Sequence, residues 1–97
     1  MHEISDRFKE QQYQSLKVLK MAKTDAYEIL GITLKKGNIF PEHSSPTEAQ
    51  LIVLEGNINF HIDQKEFHLK TQQHFSFPKE TPHWVEALSD SKFLIIR

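Results

Sequence analysis

The sequence predicts an all-β domain in which short antiparallel strands form a sandwich or a closed barrel. About eight or nine apolar-rich stretches, each of roughly four to eight residues, are separated by turn-forming residues such as Pro, Gly, Asn and Asp. Residues 57–62 alternate apolar and polar side chains, which is typical of a strand with one buried face. The chain has 97 residues, which is enough for one domain and too few for a second core.

The N-terminal residues differ from the rest because they hold the best candidate for a helix. In residues 4–14, Ser5 is a candidate N-cap, and Ile4 and Phe8 share one face. An extended arm is the alternative. Both interpretations divide the chain into an arm or short helix over residues 1–14 and a β-domain over residues 15–97.

The remaining elements follow closely along the chain. The first two strands are predicted at residues 16–21 and 27–34, and residues 41–48 form a loop because their two prolines cannot donate ladder hydrogen bonds. A hairpin turn is predicted at residues 63–65, although it lacks the Gly that such turns prefer. The other predicted strands cover residues 51–54, 57–62, 67–69, 75–77, 84–87 and 92–96.

Composition and charge exclude several classes of protein. Lys and Arg total 12 against 13 Asp and Glu, and no basic block is present, so nucleic acid is not expected as a partner. The absence of cysteine excludes disulfides, zinc–thiolate sites and cysteine nucleophiles. No apolar run is long enough to cross a bilayer, and the N-terminus lacks a signal-peptide pattern. We therefore expect a soluble cytoplasmic protein with no membrane partner.

One segment reads GNIFPEHSSPTEAQLIVLEG and resembles the first sequence motif of the cupin family. That motif runs Gly, five residues, His, one residue, His, three or four residues, Glu, six residues, Gly. Gly37, His43 and Gly56 match it, whereas Ser45 stands in place of the second His and Ala49 in place of the Glu.

A later segment reads QQHFSFPKETPHWVEA and resembles the second cupin motif. That motif runs Gly, five residues, Pro, one residue, Gly, two residues, His, three residues, Asn. Pro78 and His83 match it, whereas Gln72, Glu80 and Ala87 stand in place of the two Gly and the Asn. The resemblance implies an antiparallel double-stranded β-helix, the jelly-roll barrel of cupins.

The resemblance also implies a reduced metal site. Cupins hold a metal with three imidazoles and one carboxylate that point into the barrel, and here His43 and His83 alone are kept. Two imidazoles leave most of the coordination sphere to water, so a divalent Zn, Ni, Mn or Fe ion is expected to bind weakly or not at all. Glu80, in the loop before His83, is the best candidate for a third metal ligand.

The barrel interior is the expected binding pocket. The other strand histidines, His61, His68 and His74, are expected to face outward because each adjoins a core Phe, and Trp84 should face away from His83. The predicted ligand-binding residues are His43, Ser45, Phe60, Phe75 and His83.

Three functions from different classes fit these residues. The first is a barrel that binds a small polar molecule or a weakly held metal in a sensing or regulatory role. The second is an enzyme, either a metal-dependent dioxygenase or an isomerase in which His43 and His83 move protons. The third is an interaction module with a filled barrel. Residues 51–54 are apolar on both strand faces, so we also expect a homodimer that covers the outer face.

Overall fold

Within residues 2–97, the computed structural model contains nine β-strands and no helix, which confirms the prediction of an all-β domain. Met1, the first residue of the predicted arm, lies outside the described residues. None of the described elements is a helix long and apolar enough to cross a membrane. The strands are β1 (Lys17–Lys23), β2 (Glu28–Leu34), β3 (Ile39–His43), β4 (Ala49–Glu55), β5 (Asn57–Ile62), β6 (Lys65–Lys70), β7 (His74–Phe77), β8 (His83–Ala87) and β9 (Ser91–Ile96).

The strands form two antiparallel sheets that pack face to face. The five-stranded sheet has the order β1-β2-β9-β4-β7, and the four-stranded sheet has the order β3-β8-β5-β6. From β3 onward the chain passes repeatedly from one sheet to the other. This winding is the double-stranded β-helix that the sequence motifs imply.

The core lies between the two sheets and follows the period-two pattern of the strands. In β5, Ile58 and Phe60 are fully buried, whereas Asn57 and Asn59 between them are half-buried on the other face. In the five-stranded sheet, Leu51 and its neighbours along β4 and β9 close the core from the opposite side. Strand alternation therefore decides which side chains can reach the interior.

Two tight turns show why particular residues occur where they do. Asp63 and Gln64 both have positive φ, 53° and 60°, which is the type I′ hairpin geometry achieved here without Gly. Gly56 also has a positive φ of 78°, and a Cβ there would lie 2.4 Å from the Asp90 carbonyl oxygen. The close approach of the Asp90 backbone to Gly56 thus depends on the absence of a side chain.

The helix predicted as one option for residues 4–14 is absent, so that option was wrong. Residues 7–10 form only a turn, and the segment lies as an arm across the outer face of the five-stranded sheet. Phe8 packs over Gly31, where a Cβ would lie 2.7 Å from its ring. The ammonium of the buried Lys92 donates hydrogen bonds to the Phe8 and Lys9 carbonyl oxygens at 3.0 and 3.2 Å. Those contacts with distant residues, and a single apolar anchor, outweigh weak local helix propensity.

The outer face of the five-stranded sheet is apolar beside the arm. In β4, Leu51 and Val53 point into the core and are fully buried, whereas Ile52 and Leu54 point outward. Leu54 is 42% exposed, and Ile52 lies opposite Leu94 of β9. Apolar side chains therefore occupy both faces of this strand.

Candidate functional site

His43 and His83 lie side by side on neighbouring strands. His43 is the last residue of β3 and pairs directly with His83, the first residue of β8. The register shifts between Phe40 and His43, where Pro41 lacks a backbone donor. Both side chains lie near one end of the barrel, and their Nε2 atoms are 3.1 Å apart.

The opposite nitrogen of each ring fixes its tautomer. His43 Nδ1 lies 2.7 Å from the Pro41 carbonyl oxygen, and His83 Nδ1 lies 2.9 Å from the Thr81 carbonyl oxygen. A carbonyl oxygen only accepts, so both Nδ1 atoms carry hydrogen and donate it. When both imidazoles are neutral, both Nε2 atoms are therefore acceptors, and two acceptors 3.1 Å apart require a shared proton, a donor or a cation between them.

Aromatic rings surround the pair on the barrel side. Phe40 stacks on His43 with ring centroids 4.2 Å apart, Phe60 stacks on His83 at 5.2 Å, and Phe77 meets His83 edge-on at 4.6 Å. His83 is 1% exposed, whereas His43 is half-buried. Burial lowers the pKa of His83, nearby His43 lowers it further, and the hydrogen bond to Thr81 opposes the shift. His83 is therefore neutral at neutral pH and presents a lone pair.

The spacing of the two nitrogens suits one metal ion. With metal–nitrogen bonds of about 2.0–2.1 Å, nitrogens 3.1 Å apart subtend about 95–102° at a common ion. That angle lies between the octahedral and tetrahedral values. The distance thus allows the pair to provide two adjacent ligands to one ion, provided that other groups complete the coordination sphere.

Comparison with known proteins decides the family. Residues 32–96 match the family described as Cupin domain. The chain belongs to the cupin family. Among the curated proteins, no significant match was found.

Solved cupin structures share the fold at low sequence identity. An RmlC-like cupin protein from Desulfovibrio desulfuricans has a TM-score of 0.86 at 23% identity, with coverage of 99% of this chain and 95% of that one. A conserved protein of unknown function from Streptococcus pyogenes has a TM-score of 0.81 at 23% identity, covering 99% and 86%. An RmlC-like cupin family protein from Methanocaldococcus jannaschii has a TM-score of 0.78 at 21% identity, covering 91% and 89%. These likenesses confirm the cupin barrel that the sequence motifs predict.

The two missing ligands of the cupin motif are replaced by small buried residues. Ser45 is 2% exposed, and its hydroxyl donates to the Thr47 carbonyl oxygen at 2.6 Å and accepts from the Thr47 N–H at 3.4 Å. Ala49 is fully buried at the start of β4, opposite Phe77. In this cupin, one former ligand position therefore stabilises a loop and the other fills the core.

Glu80 lies in the loop before β8 with its side chain exposed. Its N–H donates to the Ser45 carbonyl oxygen at 2.7 Å, which joins the two loops at this end of the barrel. Within residues 2–97, the structure does not group the Glu80 carboxylate with the two imidazoles as a metal-binding set. A ligand role for Glu80 thus stays a prediction that would require the side chain to move.

Both glycine positions lost from the second cupin motif have left-handed backbone. Gln72 has a φ of 69° and Glu80 a φ of 57°, and side chains are disfavoured in this region. The family's glycines are therefore explained by backbone geometry, and this chain tolerates strain at both positions.

The predicted pocket aromatics belong to the core. Phe60 is fully buried, and half-buried Phe75 packs on it with ring centroids 4.9 Å apart. Phe75 also contacts Phe67 at 5.0 Å. Of the two, Phe60 reaches the histidine pair, through its stack on His83. A ligand-binding role for either Phe stays a prediction.

A further group of polar residues was not singled out from the sequence. His61 lies on the outward face, as expected for that strand position, and stacks on Trp84 with ring centroids 3.6 Å apart. Glu66 lies opposite His61 on β6, and Glu86 lies nearby on β8. The predicted turn at residues 63–65 would pair His61 with Phe67, whereas the observed turn at residues 63–64 pairs it with Glu66. His68 and His74 are exposed and bond to Asn57 and Gln50.

Proposed function

We propose that this cupin weakly binds a divalent metal ion, of the Zn, Ni, Mn or Fe type, through the Nε2 atoms of His43 and His83. The observation that supports this most is the 3.1 Å distance between two Nε2 atoms that both act as acceptors, because the Nδ1 atom of each ring donates to a backbone carbonyl oxygen. Water or a small polar ligand would complete the coordination sphere. Metal bound here would supply a Lewis acid to that ligand.

The same geometry favours one class of metal-free ligand. Two neutral imidazoles with Nε2 acceptors suit a molecule that donates hydrogen bonds, such as an ammonium or a hydroxyl group. A pure acceptor, such as a carboxylate, would face repulsion from both nitrogens unless one imidazole were protonated. A small molecule that donates hydrogen bonds is therefore our second candidate ligand for the histidine pair, after the metal ion. A sensing or regulatory role fits either ligand.

An enzyme of the dioxygenase or isomerase type is less well supported. Three protein ligands would normally hold a catalytic metal, and the exposed Glu80 carboxylate does not group with the two imidazoles within residues 2–97. A filled barrel that serves only as an interaction module is the remaining alternative. It predicts that neither metal nor small molecule binds at His43 and His83.

Calorimetric titration with Zn²⁺, Ni²⁺ and Mn²⁺ tests the proposal. The titrated chain carries Glu86→Gln. This substitution removes one potential ligand from the outward group of His61, Glu66 and Glu86, so that the measured metal binding comes mainly from His43 and His83. We expect one site with a dissociation constant of about 1 μM or weaker, which corresponds to a binding free energy of about −8 kcal/mol or a less negative value. His83→Gln should abolish it, and His68→Gln is the matched control for loss of an exposed imidazole. No saturable binding in the Glu86→Gln chain would refute the metal proposal.

We further propose that the cupin is a homodimer formed through the outer face of the five-stranded sheet. Ile52, Leu54 and Leu94 present apolar surface there beside the N-terminal arm. A second copy of the chain would cover these side chains from water on both subunits at once, as a two-fold interface does.

A further inference from the structure

The four-stranded sheet carries a second group of potential metal ligands on its outward face. His61 of β5 pairs with Glu66 of β6, and Glu86 of β8 lies diagonally across from His61. One ligand atom from each of these side chains lies within 4.8 Å of the other two. The neighbouring residues Ile62 and His83 pair on the inward face, so this group and the barrel pair lie on opposite sides of one sheet.

His61 presents an unsatisfied nitrogen to this group. Within residues 2–97, His61 Nε2 is the buried side-chain polar atom that has no hydrogen-bond partner. Its nearest carboxylate oxygen, on Glu86, lies at 3.6 Å, which is too long for a hydrogen bond. Buried polar atoms are nearly always paired, so this nitrogen indicates a missing partner. The Glu66 and Glu86 carboxylates on either side point to a cation as that partner.

The orientation of the His61 ring is fixed before any ion arrives. Trp84 stacks against it with ring planes within 1° of parallel and centroids 3.6 Å apart. The stack leaves the ring edge that carries Nε2 directed at the two carboxylates. A ligand held in place in this way loses little freedom when it binds metal.

The adjoining surface favours positive charge. A cleft of about 360 Å³ lies beside His61 and Trp84. Its charged lining comprises Glu42, Asp63 and Glu66 against a single Lys65. An excess of carboxylates in a partly enclosed cleft concentrates cations there.

We propose that His61, Glu66 and Glu86 form a divalent-metal site on the outside of the barrel, independent of the His43–His83 pair. One imidazole with two carboxylates suits a first-row ion such as Zn²⁺ or Mn²⁺. Ligands of one such ion lie about 3.0–3.4 Å apart, so the 4.8 Å group must contract slightly. Exposed Glu66 can make that movement, because its side chain rotates freely into solvent. Water would fill the positions facing the cleft.

The single tryptophan of the chain makes this site directly observable. Trp84 is the only Trp, and it stacks on the proposed ligand His61, so a paramagnetic ion bound there would quench its fluorescence. Titration of the full chain with Ni²⁺ should give saturable quenching at one ion per chain, reversed by a chelator. Zn²⁺, which does not quench by this route, should compete and restore the fluorescence.

Variants separate this site from the barrel pair. His61→Gln and Glu86→Gln should each weaken the quenching transition at least tenfold, with circular dichroism confirming an unchanged fold. His68→Gln removes another exposed imidazole of the outward face and should leave the transition unchanged. The double variant His43→Gln/His83→Gln should also retain it. Should the double variant misfold, His43→Gln alone gives the same comparison.

Two results would overturn the proposal. Linear quenching that never saturates and is equal in all variants would mean that His61 and Glu86 form only a surface ion pair. Loss of the transition in His43→Gln with retention in His61→Gln would assign the ion to the barrel. Because the two sites are tested by different variants, failure of one leaves the other standing.

Discussion

Positions 45 and 49, where the cupin motif has metal ligands, offer the sharpest test of the proposed weak metal binding. Ala49 is fully buried opposite Phe77, whose ring contacts His83 at 4.6 Å, so a longer side chain at position 49 would extend toward the histidine pair. Ser45 precedes the same strand and is buried beside it. The double substitution Ser45→His and Ala49→Glu should therefore rebuild a site of three imidazoles and one carboxylate.

The expected gain can be set against the costs visible in the structure. Two added ligands should tighten metal binding about a hundredfold or more, which is about 2.7 kcal/mol. Ser45→His removes two hydrogen bonds to Thr47, at about 1 kcal/mol each. Ala49→Glu buries a carboxylate that has no partner without metal, and this costs several kcal/mol of apo stability. The apo double variant should thus unfold at lower temperature than the parent, and saturating metal should reverse the loss.

Calorimetric titration of the parent, both single variants and the double variant, all carrying Glu86→Gln to weaken the outer cluster, measures the gain in metal binding. Each single variant should gain less than the double variant, because a half-restored sphere still depends on water. Equal, weak binding in all four proteins would refute the assignment of Ser45 and Ala49 to the empty positions. Nanomolar binding by the parent would instead reveal a protein ligand beyond the two histidines, with Glu80 the first candidate.

Four further outcomes follow from individual contacts. Burial lowers the pKa of His83 in the folded chain. As pH falls below the ordinary pKa of histidine, His83 therefore becomes protonated in the unfolded chain while it stays neutral in the folded chain. Stability should therefore decrease from pH 7 toward the folded pKa, and urea denaturation of His83→Gln should show a flatter pH profile. Glu80→Gly should raise the free energy of unfolding by about 0.5–1 kcal/mol by relieving positive φ, and a decrease would show that the Glu80 side chain stabilises the loop. Gly31→Ala should cost about 1–3 kcal/mol in thermal denaturation because its Cβ would overlap the Phe8 ring, unless the arm is already detached in solution. Light scattering at micromolar concentration should give a dimer, and a mass near 11.4 kDa would exclude one.

The barrel and the histidine pair were accessible from the sequence because both depend on local signals. Period-two alternation identifies the buried face of β5, and motif spacing aligns His43 with His83 although they lie far apart in the chain. The choice between a helix and an arm for residues 4–14 was not accessible in the same way, since it depends on a hydrogen bond from Lys92, near the opposite end of the sequence, to the Phe8 carbonyl oxygen. Local propensity contains no information about such a contact.

The group of His61, Glu66 and Glu86 on the outward face shows a second limit of prediction from sequence. His61 pairs with Glu66 because the turn has two residues, 63 and 64, rather than the predicted three. Glu86 joins them only because β8 lies on the other side of β5. No hydrophobic period reports that strand order. A sequence pattern can therefore place a residue on a face, whereas the neighbours it meets there depend on the topology of the whole sheet.

That topology also makes the two proposed sites separable. Consecutive residues of β8 serve them, because His83 points into the barrel and Trp84 points outward against His61. An ion held by His43 and His83 lies across the sheet from the Trp84 ring and does not contact it, and only movement of the β8 backbone would bring the two together. The pairing of β8 with both β3 and β5 opposes such movement, since a slip of one residue would expose His83 and bury Trp84. Occupation of the barrel should consequently quench Trp84 less than occupation of the outer site, and the His43→Gln and His61→Gln variants assign the quenching transition to one site or the other.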